Sequence, residues 1–240
     1  MTIILHIDSS ARPGRSGEQP HGSHTRRLGA RFLEHYRQLD GSIEVIYRDV
    51  GAQPPAPVTG GWVHAAFTPP AAREPWMVDT LAQSDALVDE VLRADIIVAG
   101  VPMYNFGPPA QFKAWLDNIV RVGRTFGFDR NRPGEPYWPL LAGTGKQLVI
   151  LSSRGDYGYG PGQRLEAANH VEASVRSVFR YLGVTDTYSA AIEYDEFADE
   201  RLARSIVDAE RATELIAETI AAARGAAAPL PRASRDKAAA

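Results

Sequence analysis

Apolar residues fall in short runs of strand character that alternate with longer stretches of helical spacing. Ile3, Leu5 and Ile7 interleave with Ile4 and His6, an almost unbroken apolar run that suits a strand covered on both faces. Residues 25–39 then place Leu28, Phe32 and Tyr36 on one helical face with arginines opposite, and Asp40-Gly41 ends that helix. Residues 43–47 alternate as a second strand. Residues 79–93 are helical, 95–101 form the clearest central strand, and 110–122 form a helix with Pro109 at its first turn. Residues 146–151 are a fourth strand and 164–181 a helix closed by Gly183. Residues 188–194 are a fifth strand, and 200–223 a closing helix with Leu202, Ile206, Ala209, Thr213, Ile216 and Ile220 on one stripe.

Two stretches break the rhythm. In 49–75, Pro54, Pro55, Pro57, Pro69, Pro70 and Pro75 rule out a regular helix or a central strand. That long loop is either a binding lid carrying Trp62, Phe67 and Trp76 or a surface excursion pinned down by them. Residues 123–140, with Phe126, Phe128, Tyr137 and Trp138, read as a second irregular loop.

Strand and helix alternation predicts an α/β fold: a doubly wound three-layer sandwich on a five-stranded parallel sheet. The preferred order, 2-1-3-4-5, puts a switch point between the first and third strands. The predicted domain covers residues 1–223, and 224–240, rich in Ala, Pro, Arg and Lys, is expected to fray.

Totals narrow the chemistry. Among 240 residues, 26 basic and 29 acidic side chains give a net charge of −3, with no basic stripe, so a nucleic-acid partner is not expected. Without cysteine there is no disulfide framework, thiolate catalysis or cysteine-ligated metal. The histidines (His6, His21, His24, His35, His64, His170) show no metal spacing, so no metal is expected. The chain enters a strand without a signal-like segment, and no run reaches membrane-spanning length, so a cytoplasmic protein with no membrane partner is expected.

The loop after the first strand carries Ser9, Ser10, Gly14, Ser16, Gly22 and Ser23 before a helix begins. It is either an ordinary loop with a Ser or Thr N-cap or a phosphate cradle built from Ser10, Ser23 and Thr25 with the helix N-terminus. His24 is either a ligand contact or a solvated loop histidine. No Gly-x-Gly-x-x-Gly follows the first strand, and neither a nucleotide-triphosphate loop nor a Gly-x-Ser-x-Gly elbow is present. Met103, Tyr104, Asn105 and Phe106 offer the mixture of apolar surface and edge donors that a flat aromatic ligand needs, with Gly155 permitting close approach. A Met-Tyr pair in that place is equally at home in a core.

Pro102-Met103-Tyr104-Asn105-Phe106 with Pro109, then Lys113, then Ser152-Ser153-Arg154-Gly155, resembles the FMN-dependent NADH azoreductases of the flavodoxin-like NAD(P)H:quinone reductase superfamily, over roughly residues 2–222. The resemblance implies FMN as cofactor and NADH as reductant. It implies two-electron reduction of quinones and azo compounds by ping-pong hydride transfer through flavin N5, in a homodimer. It assigns the phosphate to Ser10, Ser23, His24 and Thr25. Met103, Tyr104, Asn105 and Phe106 fall to the ribityl chain and ring, and Ser153, Arg154, Gly155 and Asp156 to the ring edge. Phe126 and Trp62 fall to the substrate pocket. No side chain is required as a nucleophile, with Tyr104 and Asn105 as possible catalytic contacts. Departures are the longer Ser10–Ser23 loop with Arg12, Arg15 and Pro20, and Asp156 where the family pattern has glycine. The alternatives are a flavin-binding electron carrier and a non-catalytic binding module.

Overall fold

The computed structural model describes residues 1–226. Its strands are β1 (Thr2–Asp8), β2 (Ile43–Asp49), β3 (Ile96–Pro102), β4 (Phe126–Phe128), β5 (Tyr137–Pro139), β6 (Gln147–Ser153) and β7 (Asp186–Ile192), of which β4 and β5 form a separate two-stranded sheet. The five long strands run parallel in the order β2-β1-β3-β6-β7, the predicted order with β6 and β7 as its fourth and fifth strands. In the register Ile4 lies between Val45 and Ile96.

Two apolar layers sandwich the sheet. One packs Leu5, Ile7, Ile97 and Ile150 against α3 (Pro75–Arg93), α4 (Ala110–Ile119) and α5 (His170–Leu182). The other packs Ile4, Val98 and Val149 against α1 (His24–Leu39) and α6 (Glu200–Ala226). Alternate residues of one strand therefore serve opposite layers, which is why the strands are apolar throughout.

The differences from the sequence reading have local causes. The proline stretch holds a helix after all, α2 (Gly60–Phe67), because its prolines flank residues 58–68 and the Thr59 hydroxyl caps the Trp62 N–H at 3.2 Å. α3 starts at Pro75, where a missing N–H costs nothing. Residues 123–140 form the β4–β5 hairpin. α5 starts at His170 rather than 164, capped by the Asn169 side chain on the Val171 N–H. β7 lies two residues earlier than predicted, because Gly183 at φ 104° turns the chain straight back into the sheet. α6 carries Arg224 as far as Ala226, and the remainder of the expected tail lies outside the described residues. No helix among the described residues is long and apolar enough to cross a membrane.

Candidate active site

The carboxyl ends of β1 and β3 are adjacent, but the chain leaves them toward opposite edges of the sheet, which opens a crevice there. A cleft of about 220 Å³ lies at this point, lined by Ser10, Arg12, Ser23, His24, Met103, Tyr104, Ser153, Gly155, Asp195 and Glu196. The loops after β1, β3 and β6 thus meet as the sequence pattern implies, and the loop after β7 joins them.

The long loop after β1 is a self-bonded turn. Glu18 and Gln19 N–H groups donate to the Arg15 carbonyl, Gly22 to Gln19, Ser16 to Ser23, and Ser23 to Gly14. A side chain on Gly22 would run into the Arg15 backbone, so the two arms approach only because residue 22 has none. The turn delivers Ser23 to the start of α1, where its hydroxyl accepts the Arg26 N–H at 3.3 Å and meets Thr25 Oγ1 at 3.0 Å. Ser23 is therefore the N-cap. The N–H groups of His24 and Thr25, at the first positions of α1, have no intrahelical acceptor.

Beneath this loop Arg26 is buried. Its guanidinium donates to both carboxylate oxygens of Asp49 at 2.7 and 2.9 Å, to Asp8 at 3.2 Å, and to the Ser10 and Arg12 carbonyls at 3.1 and 3.0 Å. Burial opposes the charge on Asp8, but His6, Arg26 and Tyr47 outweigh it and hold the carboxyl below its ordinary range. Burial and the same carboxylate push the Tyr47 phenol up.

The β3 loop is a tight turn in which Tyr104 and Gly107 exchange N–H···O bonds at 2.9 and 3.1 Å. Its central residues, Asn105 at φ 47° and Phe106 at φ 72°, both sit in the left-handed region. For a phenylalanine this is a strained conformation, of the kind that clusters at binding sites. Neither N–H donates to another described residue. The Tyr104 hydroxyl accepts the Ala11 N–H at 3.1 Å. In the β6 loop the N–H groups of Gly155 and Asp156 are likewise without an acceptor among the described residues.

Other assigned side chains are already engaged by protein partners. The Arg154 guanidinium is committed to Glu172, to Glu193 at 3.1 Å and to the face of Tyr159. Asp156 accepts the Tyr157 N–H and pairs with Arg164 at 2.5 Å, so its charge is answered outside the cleft. His24 is not a solvated loop residue: Nδ1 meets Ser16 Oγ at 2.8 Å and Nε2 meets Asp195 at 3.0 Å. Two residues assigned to the substrate pocket pack against other parts of the chain and do not line this cleft. Phe126 is 5% exposed and belongs to the core beside Tyr137 and Tyr181. Trp62 packs with Ala65, Ala66, Met77 and Leu81 under the Arg121 guanidinium.

A flavodoxin-like-fold family model matches residues 2–214. An FMN-dependent NADH:quinone oxidoreductase of Idiomarina loihiensis is 41% identical over 92% of this chain and 91% of its own length. The chain belongs to the flavodoxin-like family of FMN-dependent NADH:quinone oxidoreductases and azoreductases. Within that family an oxidoreductase of the same name from Colwellia psychrerythraea is 40% identical over 89% of this chain and 97% of its own. The fold also matches the crystal structure of an FMN-dependent NADH-azoreductase from Bacillus anthracis in complex with FMN. The TM-score is 0.77 at 16% identity, covering 92% of this chain and all of that one.

Against this family background the residues that sequence reading missed are Asp195 and Glu196. The strand pattern placed the end of β7 at residue 194, which hid the fact that the chain leaves the sheet at Ile192 and carries both acids into the cleft. The hydrogen bond from His24, opposed by partial burial and helped by Arg12, keeps the Asp195 carboxyl below its ordinary range.

Proposed function

We propose that this chain binds FMN in the cleft at the carboxyl ends of β1, β3 and β6 and uses it to reduce quinones and azo compounds with NADH. Family membership supports the reaction class. The observation that carries the site is the meeting of three loops in one cleft, which brings Ser10, Ser23 and His24 together with Met103, Tyr104 and Gly155, on loops whose His24, Thr25, Asn105, Phe106, Gly155 and Asp156 N–H groups have no acceptor among the described residues. This donor set fits the cofactor, since a phosphate needs a helix N-terminus and hydroxyls, and the edge of a flavin ring needs amide donors.

Bound FMN supplies the two-electron chemistry between NADH and the acceptor. The Ser10, Ser23 and Thr25 hydroxyls and the start of α1 would hold its phosphate. Met103 and the Tyr104 ring would flank the ribityl chain and the flavin, with the Asn105 and Phe106 backbone at one edge of the ring. The Gly155 and Asp156 N–H groups, fixed before any charge develops, would answer negative charge on the opposite edge, as oxyanion-hole donors do. Ser153 and Arg154 would border the cleft as its wall, because the Arg154 guanidinium is taken by Glu172 and Glu193 and the Arg154 N–H donates to the Ile192 carbonyl at 2.9 Å. Tyr104 acts as a positioning residue through Ala11. No protein nucleophile or general base is needed.

The working unit is a homodimer. Phe106 beside the cleft is 52% exposed, and Val63, Phe67 and Trp76 on α2 and α3 add apolar surface that a second copy would cover. The requirement for reduced nicotinamide supports a cytoplasmic location. Initial rates with paired quinone and azo acceptors test the activity. Parallel double-reciprocal lines with NADH and either acceptor are expected. Intersecting lines, or no turnover with either class, contradict it.

A further inference from the structure

We propose that Arg12 is a ligand for the cofactor phosphate and that Asp195 competes with the phosphate for it, so that an internal carboxylate sets the affinity for FMN. This rests on the reading of the cleft as the FMN site.

Asp195 reaches back from the loop after β7 to the start of α1. One carboxylate oxygen accepts from His24 Nε2 at 3.0 Å, and the other accepts from the Arg12 guanidinium at 3.1 Å. Both donors stand beside Ser10 and Ser23, at the cationic end of a helix. A carboxylate bound there by a guanidinium and an imidazole holds the place of an anion. Glu196 lines the same cleft, so a phosphate of nearly two negative charges would enter beside two carboxylates. It is accepted only if a cation changes partner.

Arg12 is built to do so. Its backbone is pinned, with the carbonyl held by Arg26 Nε at 3.0 Å and the N–H by Ser10 Oγ at 3.2 Å. Its guanidinium is half-exposed and spends one of its donors on Asp195. His24 is different: its ring is buried and held from both sides, by Ser16 and Asp195. An anchored backbone and a half-exposed head with a single carboxylate partner make Arg12 the side chain that can turn, and a phosphate with three acceptor oxygens is a stronger partner for it than one carboxylate. The longer Ser10–Ser23 loop supplies this arginine.

The test is titration of the full chain, freed of flavin, with FMN and separately with riboflavin, which has the same ring and ribityl chain but no phosphate. Binding is read by flavin fluorescence for the wild type, D195N, D195S, R12Q and D195N with R12Q, with circular dichroism as the check on folding. Both charge-removing variants at 195 are expected to tighten FMN about tenfold, the size of one charge-assisted hydrogen bond no longer opposed, and to leave riboflavin unchanged. R12Q is expected to weaken FMN, and by a larger factor in the D195N background than in the wild type. FMN binding that is unchanged or weaker without the Asp195 charge overturns the proposal, as does an equal shift for FMN and riboflavin. A wild-type chain that takes up no FMN removes the cofactor reading itself, which is a different result.

Discussion

The phenolic oxygen of Tyr104, on the loop after β3, accepts the backbone N–H of Ala11, on the loop after β1, at 3.1 Å. Gln111 at the start of α4 adds a second tie, donating to the Ser9 carbonyl at 2.9 Å. The phosphate side and the ring side of the cleft are therefore held in one frame. Removing the hydroxyl in Tyr104→Phe keeps the ring but frees the Ala11 N–H. A net hydrogen bond is worth about 1 kcal/mol, so FMN affinity is expected to fall about fivefold with little change in turnover of the loaded enzyme. Equilibrium titration with FMN, followed by saturated rates, separates the two.

Arg26 carries more than the loop. It answers the buried carboxylate of Asp8 and the partly buried one of Asp49, and it grips the carbonyls of Ser10 and Arg12. Arg26→Met leaves both carboxylates without a cation, and breaking a buried pair by removing one partner costs about 3–5 kcal/mol. A loss of that size in the unfolding free energy from urea melts is expected, together with loss of FMN retention. A stability change under about 1 kcal/mol would show that the cluster is not the anchor of the loop.

Acid should undo the same cluster. The folded-state carboxyls of Asp8 and Asp49 lie below their ordinary range: the cost of burial is outweighed by His6, Arg26 and Tyr47 at Asp8, and by Arg26, the Ala52 N–H and Tyr47 at Asp49. A depressed carboxylate contributes stability that is present above its unfolded-state pKa of about 4 and lost as pH falls through the lower folded value. Urea midpoints measured from neutral pH downward should drop steeply below about pH 4 in the wild type. Asp8→Asn, already weakened at neutral pH, should show a shallower fall.

Ser23 has two tasks, and they come apart by mutation. As N-cap of α1 it binds the Arg26 N–H, so Ser23→Ala costs about 1 kcal/mol of stability even without flavin. Thr25 is fully buried beside it and caps nothing, so Thr25→Val should weaken FMN binding with a smaller loss of stability. Thermal melts with and without FMN, compared with flavin titrations, check both. Equal FMN affinity in the doubly substituted Ser23→Ala, Thr25→Val chain would remove these hydroxyls from the phosphate site.

The sheet was legible because its strands are apolar on both faces, a pattern that a buried parallel strand shares with little else. The Met103–Phe106 block was legible as a motif, but its strain was not: that Asn105 and Phe106 both take positive φ appears only in the folded turn. Helix α2 is hidden in the sequence because six prolines crowd the stretch although none falls within residues 58–68, and Thr59 is a cap only once its hydroxyl meets the Trp62 N–H. Asp195 was missed because strand ends are set by where the backbone leaves the ladder, and alternation in 188–194 does not mark that point. Aromatics in a loop look like pocket walls in the sequence, and only the fold shows that Phe126 packs against Tyr181 and that Trp62 lies under the Arg121 guanidinium.

The most direct measurement is the visible absorption spectrum of the purified full chain with FMN, recorded anaerobically before and after one equivalent of NADH and again after a quinone is added. One tightly held flavin per chain is expected, its band bleaching with NADH and returning with the quinone. A protein that stays colourless at saturating FMN, or one whose bound flavin NADH does not bleach, contradicts it.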